Sequence, residues 1–521
     1  MVQAVALVPS EGVSLADIDA LLTGPLGCRR LAAGRIVRTF YDTFDGRFYR
    51  AGLVVEHELL DGRAWLRVRR LGETVALVQA ALAQAPLVQV AGPVSGLADS
   101  RVRQILAPAA AGRALMALVR TEGEQLRYST IDRLEKANVR VSVMAVEAQL
   151  IPGTGNPRYL LEPVVTFSPV RGHDASFAAL VQAVELRLGP RPAADPLLRA
   201  SGVVGLALGV DPSDRAVALL PQASAFSACV GLLARAAEVL EANSPGLVNQ
   251  LDEEFLHDIR VTLRATRAVV RAASGVLDPS CGEQLAQELT ALMDLTSPVR
   301  DLDVLRAAWA GDPALAPLLE VLAQDHEECL RALLDAVRGV AWVELLAHLR
   351  APRPAPSGQE LTASGWAATV LPVELRRLHG AARRADRAQE PAQGWAASGA
   401  EEDPLHRTRK QAKRLRYLLD AFDSLYPGQQ LDGLRRALKT VQTVLGDYQD
   451  ATVAADAIAQ AGGRLRGAEP AVLIELGRRS EAARADAALA ATRFGPAYEA
   501  IAARRHRFAK RLAQPRGMSQ A

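Results

Sequence analysis

The sequence predicts an α+β N-terminal half followed by an all-α C-terminal half. Three observations carry that expectation. Between about Val37 and Phe167, short segments alternate apolar and polar residues with a period of two. After about Gly209 the period becomes 3.6 and strand signals fade. Within the second half, one ungapped register matches the chain to itself.

The chain has 521 residues, more than one hydrophobic core holds, so two or three domains are expected. Near the start "SLADIDALL" predicts a helix. "RAGLVVEHELL" and "RAWLRVRRL" predict two strands joined by the turn "LDGR". "ANVRVSVMAVEAQL" and "RYLLEPVVTFSPV" predict two more, and "ASFAALVQAVELRL" a helix after them. "VDPSDRAVALLPQAS" reads as a linker or domain entry. The expected boundaries are 1–205 for the β-rich domain, 206–216 for the linker and 217–515 for the helical domain. The helical domain divides into repeats at about 217–350 and 365–515. "RPAPSGQELTASG" and "AQEPAQGWAASGAEEDP" read as loops.

Composition narrows the function classes. Apolar residues make up 49% and aromatics only 4%, a mix that favours helices over a large β-sandwich. A formal charge of +3 excludes a global basic field, so local clustering must carry any anionic partner. Cys28, Cys229, Cys281 and Cys329 are scattered without CxxC spacing, which signals neither a zinc site nor a disulfide framework. The N-terminus lacks a basic region followed by a long apolar run, and no uncharged apolar run reaches membrane-spanning length. A cytoplasmic protein without a membrane partner is the expectation.

The internal match is specific. Leu256 falls on Leu405, His257 on His406, Arg260 on Arg409, Arg264 on Lys413 and Arg267 on Arg416, a shift of 149 residues. The register runs on through Leu285/Leu434, Leu289/Leu438 and Asp301/Asp450. At about 100° per residue, His257, Arg260, Arg264, Arg267 and Arg271 share roughly one quadrant of a helix. Ile259, Leu263, Thr266 and Val270 fall on the adjacent arc and should face a core. The second copy repeats the pattern, with His406, Arg409, Lys413 and Arg416 on one stripe and Thr408, Ala412, Leu415 and Leu419 on the other. Arg407, Lys410 and Arg414 widen its basic surface, and Arg435, Arg436 and Lys439 follow on the next helix. From Pro404 to Thr440 there are nine Lys or Arg against three Asp or Glu. Like charges three and four apart each destabilise a helix by a few tenths of a kcal/mol. A basic run is ordinarily a solvated helix face. Two copies in one helical phase, each headed by His, point instead to a polyanion site.

At these residues the sequence resembles the CHAD domain, the conserved histidine α-helical domain. "LHDIRVTLRATR" with "RDLDVL" carries the resemblance in the first copy, and "LHRTRKQAKRLRYLLDAF" with "LGDYQDA" in the second. The resemblance implies two similar four-helix bundles, a basic central cavity and binding of inorganic polyphosphate, with association to polyphosphate granules. The implied binding residues are His257, Arg260, Arg264, Arg267, His406, Arg409, Lys410, Lys413, Arg414 and Arg416. Arg435, Arg436 and Lys439 are added as candidates from the charge pattern.

The N-terminal half resembles the CYTH domain, the antiparallel triphosphate tunnel fold, through "YDTFDGRFYRAGLVVEHELLDGRAWLRVRR" and "EPVVTFSPVRGHDASFAALVQAVELRLG". Members of that fold hold Mg²⁺ or Mn²⁺ with an ExExK strand. In "QAVAL", Gln3, Val5 and Leu7 stand at those positions, and hard divalent cations need oxygen ligands. Glu56 and Glu58 would repel a triphosphate. Glu162 is a candidate surviving acidic position, and Arg67, Arg69 and Arg70 candidate anion contacts. A degenerate tunnel domain is expected, with no catalytic residues, metal or cofactor. The competing expectations are a metal-dependent inorganic triphosphatase in this domain and nucleic-acid binding by the basic helices. Few aromatics interleave with the basic residues, Tyr417 being one, which disfavours nucleic acid. The C-terminal "RRHRFAKRL" reads as a solvated helix end or an extension of the anion surface.

Overall fold

A computed structural model describes residues 4–73, 75–82, 92–131, 135–151, 155–356, 361–388, 403–465 and 470–517. The chain divides into two units, Met1–Pro212 and Ser213–Ala521. The first is an antiparallel sheet with five helices, and the second is helical. Gln3 and most of the loop expected over 388–404 lie outside the described residues.

The strands are β1 (Val5–Val8), β2 (Arg29–Asp42), β3 (Leu53–Leu60), β4 (Arg63–Arg70), β5 (Ala76–Leu82), β6 (Gly92–Pro93), β7 (Ala114–Ile131), β8 (Ala137–Leu150), β9 (Arg158–Leu160), β10 (Val164–Pro169) and β11 (Arg191–Pro192). They pair in the order β11-β1-β10-β8-β7-β2-β3-β4-β5, with β6 beside β7 and β9 beside β8. Every ladder is antiparallel. Among the described residues the path ends at β5 and β11, which do not pair with each other. β3 and β4 join through Asp61 and Gly62 at φ 49° and 77°, the two left-handed residues that a tight Asp-Gly hairpin demands.

The helices of this unit are α1 (Leu15–Thr23), α2 (Arg47–Arg50), α3 (Ser100–Ala110), α4 (Asp174–Leu188) and α5 (Pro196–Val203). A capping box between Ser14 and Asp17 starts α1. Leu7, Val143, Val165 and Phe167 pack with Ile18, Leu22, Phe177 and Val184 of α1 and α4. Tyr41, Val55, Leu66 and Val68 pack with Val102 and Leu106 of α3. Side chains alternate along a strand, so the residues between these lie on the opposite face. That face carries Arg38, Glu56, Glu58, Arg67 and Arg69, and Leu197 and Ala200 of α5 pack beside Phe40, Val54 and Val119 there.

The helical unit contains α6 (Ala225–Val248), α7 (Glu253–Ala272), α8 (Pro279–Trp309), α9 (Ala316–Arg338), α10 (Val340–Arg350), α11 (Ala363–Ala388), α12 (Pro404–Ala421), α13 (Asp432–Gly462), α14 (Pro470–Thr492), α15 (Phe494–Ala502) and α16 (Arg505–Leu512). α6, α7, α8 and α9 pack in sequence, and α11, α12, α13 and α14 repeat that succession. The duplicated positions share their burial. Ile259, Leu263, Thr266 and Val270 are buried in α7, and Thr408, Ala412, Leu415 and Leu419 in α12. Leu285, Leu289, Leu434 and Leu438 are buried likewise. α7 packs against α12, so the two basic helices meet at the junction of the copies.

Candidate functional site

Each basic helix starts at an aspartate cap. Asp252 accepts from Glu254 N at 2.9 Å before α7, and Asp403 accepts from Leu405 N at 3.0 Å before α12. Pro404 fills the first turn of α12, where its missing N–H costs nothing. The buried apolar stripes then fix the rotation of both helices and turn their basic sides toward a common space.

That space is a cavity of about 670 Å³ lined by α7, α8, α12 and α13. Arg260, Arg264, Arg267 and Arg271 enter it from the first copy, and His406, Arg407, Arg409, Lys410, Lys413 and Arg414 from the second. Asp294 and Asp301 of α8 and Gln449 and Asp450 of α13 complete the polar lining, with Tyr417 as its aromatic. Among the described residues, nine Arg or Lys face three Asp.

The cations are crowded; Arg260 is buried, most of the others are half-buried, and Arg271 and Lys410 are exposed. Arg260 is 7% exposed and donates to Thr296 Oγ1 at 3.3 Å. Burial, with repulsion from Arg264, pushes its pKa down to about 10. Burial and the positive charges of Arg409 and Arg264 push Lys413 down to about 7. Burial raises the Asp301 carboxyl against the pull of Arg260 and Arg409, and Asp450 adds to the rise. Arg414 differs from these, because its guanidinium pairs with buried Glu374 at 3.1 Å. Among the described residues, Arg260, Arg264, Arg267, Arg271, Arg409 and Lys413 make no ion pair. The buried Nε donors of Arg264 and Arg409 have no hydrogen-bond acceptor there either. His406 Nδ1 is hydrogen-bonded to Gln449 Oε1.

Not every sequence candidate reaches this cavity. His257 does not line it, and burial depresses its pKa. Arg416 donates to Gln442 Oε1 at 3.1 Å. Arg435 pairs with Asp423 at 2.6 Å and lines a separate cavity of about 350 Å³. Arg436 and Lys439 are exposed on α13, away from the lining. Arg271, Arg407 and Tyr417, by contrast, belong to the lining although they stood outside the set of site candidates. The signal for them was present. Arg271 continues the α7 stripe, and Arg407 and Tyr417 bracket the Lys410–Arg414 side of α12.

The polar face of the sheet is built differently. Glu58 pairs with Arg38 at 2.7 Å and with Arg67 at 2.9 Å. Arg69 is clamped by both oxygens of Asp195, at 2.5 and 2.9 Å, with Glu56 at 3.5 Å. Asp195 also caps α5 and accepts from Gly72 N. Burial disfavours its carboxylate, but the Arg69 hydrogen bonds and charge outweigh that and hold its pKa below the ordinary range. Arg70 is exposed, and Glu162 pairs with Arg191 at 2.6 Å. Leu7, and Val5 beside it, belong to the core under α1 and α4, and the alternate positions of β1 are Ala6 and Val8. Neither face of described β1 offers an oxygen ligand. Among the described residues no group of three His, Cys, Asp or Glu is placed to hold a metal ion. Val5 and Leu7 therefore do not fit a divalent cation.

The family model for the CHAD domain matches residues 231–459. That segment is a CHAD domain. It is 28% identical over 309 residues to an uncharacterised protein of Mycobacterium tuberculosis, across 56% of this chain and 50% of that relative. The chain thus spans about half the length of the curated relatives it matches. The crystal structure of the CHAD domain of the plant Ricinus communis aligns with a TM-score of 0.45 and 20% identity, covering 55% of this chain and 95% of that one. A putative adenylyl cyclase of Hippeastrum with a dominant triphosphatase activity aligns with a TM-score of 0.27 and 13% identity, covering 39% of this chain and 96% of that one. No helix among the described residues is long and apolar enough to cross a membrane.

Proposed function

We propose that the cavity between the two CHAD repeats binds inorganic polyphosphate without catalysis. One observation carries this reading. Among the described residues, six cations from both repeats face one space without an ion pair, and two of them leave buried Nε donors unused. An array of this kind is costly to hold empty, because repulsion and lost hydration both oppose it. Phosphate oxygens relieve both penalties through short charge-assisted hydrogen bonds. A linear chain of phosphates fits better than a compact anion, since the cations run along two helices. Among the described lining residues Tyr417 is the one Phe, Tyr or Trp, which supports a phosphate backbone over stacked bases.

The N-terminal unit fits this reading as a tunnel-fold relative that has lost its metal strand. Arg38, Arg67 and Arg69 are internally paired, and described β1 supplies no side-chain oxygen ligand. The test is titration of the purified protein with long-chain polyphosphate across a salt series. Binding that weakens steeply with salt and collapses in Arg409→Glu/Lys413→Glu is expected. Binding indifferent to that pair of reversals defeats the reading. Phosphate release from tripolyphosphate with Mg²⁺ or Mn²⁺, retained when the cavity is reversed, would move the function to the sheet.

A further inference from the structure

The C-terminal basic run and α11 hold a second cationic feature outside the cavity. On α11, Arg376, Arg377, Arg383, Arg384 and Arg387 are all exposed. At about 100° per residue they span roughly 120° of one helix face, opposite the buried Leu371, Leu375, Leu378 and Ala382. Asp386 lies about 60° further round from Arg383, outside that arc. Five like charges at such spacings repel along the helix, as in the cavity helices.

Two contacts place this face in a larger path. At one edge Arg377 pairs with Glu374 at 2.5 Å, and the same carboxylate holds the cavity arginine Arg414 at 3.1 Å. Glu374 is 2% exposed, so it fixes one arginine of the cavity and one of the outer face side by side. At the other edge α16 packs against α11. His379 of α11 is hydrogen-bonded to Tyr498 at 3.0 Å, and burial together with the nearby charges of Arg505 and Arg383 lowers its pKa. Arg505 of the C-terminal run therefore continues the α11 cations. Among the described residues, Arg376, Arg383, Arg384, Arg387 and Arg505 make no ion pair with a carboxylate.

We propose that the arginine face of α11, extended by Arg505, is a second polyanion-binding segment. It is the track along which a polyphosphate chain longer than the cavity leaves it past Arg414. The inference rests on the polyphosphate reading of the cavity and adds a chain-length preference to it. Tripolyphosphate is held by the cavity alone, whereas a long chain engages cavity and track together, at high effective concentration for the second contact.

The test compares Arg376→Glu/Arg383→Glu/Arg387→Glu with Arg409→Glu/Lys413→Glu in the full chain, each titrated with tripolyphosphate and with long-chain polyphosphate. The track variant should lose about tenfold in long-chain affinity, and its log-log salt slope should become shallower by about 2. Its tripolyphosphate affinity should match the wild type. The Arg→Gln triple should show a smaller loss in the same direction, and unchanged thermal melting guards against misfolding. A track variant with wild-type long-chain affinity and slope overturns the proposal, and so does one that loses tripolyphosphate equally. If the cavity variant keeps wild-type long-chain affinity while the track variant loses it, the cavity reading fails and its exit track with it, leaving the α11 face as a separate polyanion site.

Discussion

The sheet face and the helical cavity both collect buried or half-buried arginines, and the two treat them in opposite ways. On the sheet, Arg38 and Arg67 share Glu58, and Arg69 sits between both oxygens of Asp195. In the cavity, Arg260, Arg264 and Arg409 crowd one another, and Asp301 and Asp450 are too few to neutralise them. The chain as a whole is near neutral at +3. What distinguishes the regions is where the carboxylates were placed. A paired guanidinium has its fork occupied and serves the fold, whereas an unpaired one keeps its donors for a ligand.

The largest expected effect breaks the cavity side of that contrast. Arg409→Glu/Lys413→Glu removes two charge-assisted contacts and adds two repulsive ones. Each such hydrogen bond is worth roughly 1.5–3 kcal/mol, so long-chain polyphosphate affinity should fall by about a hundredfold or more. Isothermal titration at low salt reads it. The unfolding midpoint should rise or stay level, because the reversals relieve cationic crowding.

On the sheet the response should be inverted. Asp195→Ala leaves the Arg69 guanidinium, 5% exposed, with Glu56 at 3.5 Å as its remaining carboxylate among the described residues, beside the Glu73 carbonyl at 3.2 Å. It also removes the α5 cap and the acceptor for Gly72 N. Breaking a buried pair from one side costs about 3–5 kcal/mol. Denaturant unfolding should show that loss in the N-terminal unit, with polyphosphate affinity unchanged. A variant that instead binds tripolyphosphate at the sheet would show that Asp195 masks a latent anion site.

Much of this contrast was legible in the sequence, and the gaps have physical causes. The duplication was readable because burial repeats with the register, as in Leu285/Leu434 and Leu289/Leu438. The paired strands were readable from their alternation and the Asp-Gly turn. Ion pairing was not. Nothing in "VVEHE" says that Glu58 will neutralise Arg38 and Arg67 on neighbouring strands, nor that Asp195, far along the chain, will clamp Arg69. Strand register adds a further ambiguity, since one step along β1 exchanges Leu7 in the core for Ala6 on the other face. The α7 stripe lines the cavity, whereas on α12 the lining is turned relative to the stripe that the sequence predicts. In α12 the lining centres near Lys410 and Tyr417, so Arg416, at the far edge of the predicted stripe, turns to Gln442. The two copies thus turn toward the cavity with different phases, which an ungapped match of sequences does not reveal.

A pH titration sharpens the comparison at a single residue. The free Lys413 titrates at about 7, through burial and the charges of Arg409 and Arg264. Bound phosphate favours the ammonium and raises that value, so binding above pH 7 takes up a proton. Affinity should therefore fall as pH rises through 7, by up to about tenfold per unit. Lys413→Met should flatten the profile. Without ligand the sign reverses. An unfolded lysine keeps its proton to about pH 10.4, so between 7 and that value the unfolded chain holds more protons and folding stability rises with pH. On the sheet, Arg69, whose pKa burial lowers but the Asp195 and Glu56 carboxylates raise by more, should give no matching step in this window.

The smallest expected effects decide whether the cavity or the sequence stripe defines the site. Arg416 lies in the same predicted stripe as Arg409 and Lys413, yet it bonds Gln442 at 3.1 Å and has Asp420 at 3.9 Å. Arg436 and Lys439 add positive charge on exposed α13, outside the lining. Reversing exposed charges that touch no ligand changes affinity only through a screened field, which fades over about 8 Å at physiological salt. Arg416→Glu and Arg436→Glu/Lys439→Glu should each cost no more than about threefold, and less as salt is raised. A loss at Arg416 equal to that at Arg409 would mean that the ligand follows the outer stripe of α12 rather than the cavity. The unpaired Nε donors of Arg264 and Arg409 would then need another explanation.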